Sequence, residues 1–85
     1  MRLDPQSICE RLAFAVSAAS LLLLDEAGRE IARIGRWDDE TTLRAISRFP
    51  LGERAIVVIG WKSLPPQFGV ERALQDASQA FKTLQ

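Results

Sequence analysis

The 85-residue chain contains no histidine. That removes the usual general base near neutral pH, the commonest metal ligand, and any Ser-His or Cys-His nucleophile pair. Cysteine is nearly absent too. Cys9 stands alone, so no disulfide can close within the chain and no thiolate cluster can hold a metal. Such sparing use of cysteine suits a reducing cytoplasm. No G-x-G-x-x-G, P-loop or H-E-x-x-H pattern occurs, which leaves no recognisable catalytic or phosphate-cradling motif. The expectation is a non-enzymatic protein with neither cofactor nor metal.

An excess of charge of either sign is also missing. Eleven basic and eleven acidic residues are interspersed and cancel, so nucleic acid would find no electrostatic footprint. The same neutrality does little to keep copies apart. No hydrophobic run reaches membrane-spanning length. Leu12 to Leu24 is thirteen residues without a charge, short of the roughly 20 that a helical span needs. It is not read as a signal peptide either, because Asp4 and Glu10 precede it and its small residues, Ser17 to Ser20, come before the leucines instead of after them.

What is present is a globular composition, 47% apolar and 26% charged, sized for one domain over residues 1–85. A core this small supplies only a few kcal/mol of net stability, so burial contributed by a partner would matter. Asp4-Pro5 has the chemistry of a helix start, and Ile8, Leu12, Ala15, Val16 and Ala19 recur at helical spacing, giving a first helix over roughly 5–18. Ser20 to Asp25, the turn through Gly28, and residues 29–36 read as a β-hairpin. Asp38-Asp39-Glu40, followed by Leu43, Ile46 and Phe49, reads as a short second helix over 39–48 that Pro50 ends. Ala55 to Trp61 is the strongest strand signal and, apolar on both faces, a central one. After the Pro65-Pro66 loop, Val70, Ala73, Leu74, Ala77, Ala80, Phe81 and Leu84 form the apolar stripe of a third helix. The expected fold is α+β, a small antiparallel sheet with helices mostly on one face, in the order α-β-β-α-β-α. Its sheet edges stay open for pairing with another chain.

The acidic pairs at Asp25/Glu26 and Asp38/Asp39/Glu40 are explained by a hairpin turn and a helix start. Cys9, on a helix among apolar neighbours, reads as inert and partly buried. Trp37 and Trp61 lie where a strand meets the next loop or helix, at the rim of the core, as anchors or as contacts for a partner or planar ligand. The Ala-rich face of the third helix, with Ala73 and Ala77 beside Phe81, permits close helix approach, and with the first helix forms either core or a dimer seam. With Phe68 in the preceding loop, these are the candidate interface or ligand contacts.

The segment Ala19 to Glu30, an apolar strand ending in an acidic, glycine-containing turn, resembles the first hairpin of GAF domains. Ala55 to Trp61, then Pro66 to Phe68, then Glu71 to Leu74 and Ala77 to Ala80, is similar to that family's last strand, loop and closing helix. This resemblance implies a GAF/profilin-like regulatory or sensory module that dimerises through its terminal helices. Leu21 to Gly28 fits equally well the first hairpin of the roadblock/LC7 family, a competing resemblance. That one implies a dimer with a continuous sheet that regulates a small GTPase or a motor complex.

Overall fold

The computed structural model describes residues 4–35, 37, 43–66 and 68–83. It contains α1 (Pro5–Ala15), β1 (Ser20–Asp25), β2 (Glu30–Ile34), β3 (Ala45–Leu51), β4 (Ala55–Trp61) and α2 (Val70–Lys82). The four strands form one antiparallel sheet in the order β2-β1-β4-β3.

The first helix begins as its sequence dictates. The Asp4 carboxylate accepts from the Ser7 amide at 2.7 Å and Pro5 occupies the first turn, where its missing N–H costs nothing. It ends earlier than expected, at Ala15, because Ser17 adopts a left-handed conformation (φ 56°) while the Ala18 amide bonds back to the Ala13 carbonyl. The hairpin between β1 and β2 is tied by Asp25. Its Oδ1 accepts from the Ala27 amide at 2.9 Å and the Arg29 amide at 2.8 Å, and Gly28 turns the chain at φ +83°.

Both helices lie on one face of the sheet, α1 on β2 and β1, α2 on β3, and they pack against each other. Side chains alternate along the strands, so Leu21, Leu23, Val57 and Ile59 enter the core, where all four are inaccessible to solvent. Leu22, Leu24, Ile56 and Val58 point to the opposite face.

The second helix expected over 39–48 is not formed where the chain is described. Residues 45–51 are strand β3, and its proposed start at Asp38-Asp39-Glu40 lies outside the described residues. Leu43, Ile46 and Phe49 gave a spacing of three, but the pattern that burial obeys is Ala45, Ser47, Phe49 and Leu51, a period of two against the core. Pro50 does not stop a helix. It sits in an edge strand, where a residue without an N–H is tolerated. The element order across the described residues is therefore α-β-β-β-β-α, still an α+β fold with helices on one face.

Candidate interaction surfaces

The aromatic residues singled out in the sequence part company in the structure. Trp61 is 2% exposed, and its Nε1 donates to the Val16 carbonyl at 2.9 Å, so in the single chain it is a core anchor with no surface to offer. Trp37 is half-buried, and its Nε1 meets no hydrogen-bond partner among the described residues. Phe68 lies 87% exposed, with Leu64 at 83% in the same loop.

On α2, Ala77 and Phe81 are buried and Ala73 is half-buried. The small side chains let α2 approach α1 of the same chain, so of the two readings of the stripe, core or dimer seam, the internal contact is the one made within the chain. What remains between the helices is a groove of about 140 Å³, apolar along Ile8, Leu12, Ala73 and Ala77 and flanked by Arg11 and Asp76. Pockets for cofactor-sized ligands run to about 300–1,000 Å³, so this groove admits no more than a ring-sized group. Cys9 is fully buried on the sheet side of α1. Burial, reinforced by the neighbouring Glu10 carboxylate, pushes its thiol up to about 11, which keeps it protonated and unreactive at neutral pH.

The two sheet edges are unequal. On β2, the side-chain amide of Gln6 lies against the strand's outer backbone. Its Nε2 donates to the Arg33 carbonyl at 3.0 Å, and its Oε1 accepts more weakly from the Arg33 amide at 3.4 Å. A glutamine thereby mimics one residue of a further strand and caps that edge at Arg33. No described residue pairs with the outer edge of β3. Beside it on the helix face, Phe49, Phe68, Val70 and Leu74 line a shallow apolar groove. The sequence signal for β3 was the alternation from Ala45 to Leu51. For the Gln6 clamp there was none, because the contact spans 27 positions.

No family model matches the chain, and neither does any curated protein. Solved structures do. MglB of Myxococcus xanthus aligns with 94% of this chain and 93% of its own at a TM-score of 0.74 and 13% identity. The gliding protein MglB of Thermus thermophilus aligns over 99% and 93% at 0.64 and 14% identity. An MglB with a tetrameric arrangement aligns over 99% and 92% at 0.67 and 14% identity. At such identities the likeness carries the fold alone, and that fold is the roadblock/LC7-like one instead of the GAF architecture that the first hairpin and closing helix suggested.

Proposed function

We propose that the chain is a non-enzymatic regulatory module of the roadblock/LC7 kind, acting in the cytoplasm as a homodimer that engages a small GTPase. The observation that carries the reading is a roadblock-like sheet whose β2 edge is capped at Arg33 by Gln6 and whose β3 edge is unpaired among the described residues. An open edge is a template for pairing, and a single one per chain limits strand addition to two copies and closes it there. Pairing of two β3 strands would continue the sheet across the dimer, with the Phe49 and Phe68 groove contributing apolar burial beside the seam. Neutral overall charge opposes none of this. The absence of histidine and of a nucleotide-cradling loop is consistent with a partner of the GTPase, not with a GTPase itself.

The experiment combines sedimentation velocity with binding of purified Ras-like GTPases of the same organism in their GDP and GTP forms. The expected result is a dimer that binds one nucleotide state more tightly or changes the hydrolysis rate. A strict monomer at about 100 µM, where even weak interfaces populate, would reject the dimer. Failure of every such GTPase to bind would reject the partner class.

A further inference from the structure

The hydrogen-bond pattern fixes which way each backbone group of the sheet points. In an antiparallel sheet the N–H and C=O of one residue face the same neighbouring strand, and successive residues alternate. On β4 the Gly60 carbonyl accepts from the Ala19 amide at 2.9 Å, on the β1 side, and the Trp61 carbonyl accepts from the Arg44 amide at 2.7 Å, on the β3 side. Val57 and Ile59 therefore bond toward β3, and their register partners Phe49 and Ser47 bond toward β4. Ile46, Arg48 and Pro50 are left facing outward. Two observations agree with this phase. Pro50, which has no N–H, falls where no ladder bond is lost, and on β2 the same alternation turns Arg33 outward, where Gln6 reaches it.

No described residue pairs with those outward groups. Leu43 lies against Gly60 of β4, since a β-carbon there would stand 2.7 Å from Leu43 Cδ1, and Arg44 follows with its bond to Trp61. The chain thus enters β3 from the β4 side of that strand and not around its outer edge.

A second copy adding its own β3 antiparallel across a twofold axis has few registers open to it, and most of them fail on this strand. With the axis at Arg48, the arginines of the two copies stand directly opposite. With the axis at Ile46, Arg48 of each copy faces Arg44 of the other, whose amide is already spent on Trp61. Like charges directly opposite destabilise a strand pair. An axis nearer Pro50 sets a proline with no N–H to give against a carbonyl. Beside Ser47 none of these conflicts arises. Ile46 of each copy then faces Arg48 of the other, with amide and carbonyl matched in both directions. The ladder ends where Pro50 meets Arg44, neither of which has an N–H to offer. On the helix side Ser47 faces its own counterpart within hydroxyl reach, and Phe49 faces the small Ala45.

We propose that β3 binds a second copy of itself in this register, with the twofold axis beside Ser47. The register rests on the homodimer reading above and gives that interface its geometry. It also gives two residues a task that the single chain does not require of them. Arg48 excludes the neighbouring registers by charge, and Pro50 ends the ladder.

Cysteine cross-linking in the full chain reads the register directly, and Cys9, being buried, does not compete. The Cα atoms of a facing pair without mutual hydrogen bonds lie about 4.5 Å apart, within disulfide reach. Ser47→Cys should therefore oxidise to a covalent dimer on a non-reducing gel. Arg48→Cys and Ile46→Cys leave like positions two residues out of step, about 8 Å apart, and should stay uncross-linked. A second measurement needs no disulfide. Ile46→Glu faces Arg48 of the other copy and should dimerise about tenfold more tightly than Ile46→Lys in sedimentation at low salt, with the gap closing at high salt. Cross-linking through Arg48→Cys or Ile46→Cys but not Ser47→Cys, in a chain that sediments as a dimer, would overturn the register and leave the homodimer reading standing. A dimer that none of the three cysteines links, with equal dissociation constants for Ile46→Glu and Ile46→Lys, would overturn pairing through β3. A strict monomer of the unaltered chain would sink the register and the homodimer together.

Discussion

Trp61, the last residue of β4, donates its indole N–H to the carbonyl of Val16 just beyond α1, at 2.9 Å and across 45 positions of sequence. Both residues are buried, so this bond pins the end of the first helix to the centre of the sheet. Trp61→Phe removes the donor, strands a buried carbonyl and shrinks the side chain. The expected cost is about 2–4 kcal/mol in urea denaturation. A loss below about 0.5 kcal/mol, the scale of an ordinary surface change, would show that the bond is not holding the helix.

Two glycines with similar backbone angles should respond differently to alanine. At Gly28 (φ +83°) a β-carbon meets nothing within 4 Å, so Gly28→Ala costs only the strain of a left-handed residue, about 1 kcal/mol. At Gly35 (φ +74°) the same atom would stand 2.6 Å from the Ala19 carbonyl oxygen, a backbone atom that cannot rotate away. Gly35→Ala should therefore cost roughly 3 kcal/mol or more. Thermal melts of the two variants side by side check the order.

Ser17 holds the position after the α1 cap where glycine is the common residue, and it does so at φ 56°. Ser17→Gly relieves that strain and should raise stability by about 0.5–1 kcal/mol, visible as a higher melting temperature. A drop instead would mean that the exposed serine side chain contributes more than its backbone costs.

Gln6→Ala should unseal β2 while leaving the core untouched. If Gln6 guards that edge, sedimentation at rising concentration will show species larger than those of the unaltered chain, and Gln6→Glu, which keeps only the acceptor, should do the same in weaker form. Identical sedimentation profiles for all three would assign Gln6 no such role.

The Cys9 thiol, raised to about 11, should react slowly with a disulfide reagent in the native chain and quickly once denaturant is added. Two pKa units leave about a hundredfold less thiolate at pH 8 than in the unfolded state. The linkage follows in sign: the folded chain keeps a proton that the unfolded chain releases, so this group's contribution to stability is intact below pH 9 and is lost as pH rises from 9 to 11. Cys9→Ala should flatten that part of the profile.

Local chemistry was legible in the sequence where it acts within a few residues. Asp4-Pro5 announced α1, Asp25 with Gly28 announced the hairpin, and the branched run of β4 announced a central strand. Misreading began where two periods shared the same letters. Leu43, Ile46 and Phe49 satisfy a helix, and Ala45, Phe49 and Leu51 satisfy a strand; only pairing with β4 selects between them. The candidate surfaces were less legible still, since the Gln6 clamp joins positions far apart in the chain, although Trp61 as a buried anchor was one of its two readings. Of the candidate contacts, Phe68 is exposed, whereas Ala77 and Phe81 are interior.

The strand order β2-β1-β4-β3 also governs how the chain can assemble in time. Each outer strand is the immediate sequence neighbour of the inner strand it pairs with, so two hairpins can close independently on the microsecond scale. Joining them requires β1 to meet β4 in the register Leu21↔Ile59, a contact that encloses nearly half of the chain in one loop. That single encounter, which also brings α1 and α2 together, is where the folding barrier should lie. Substitutions at Leu21 or Ile59 should slow refolding, whereas changes confined to the Asp25 turn should act before it.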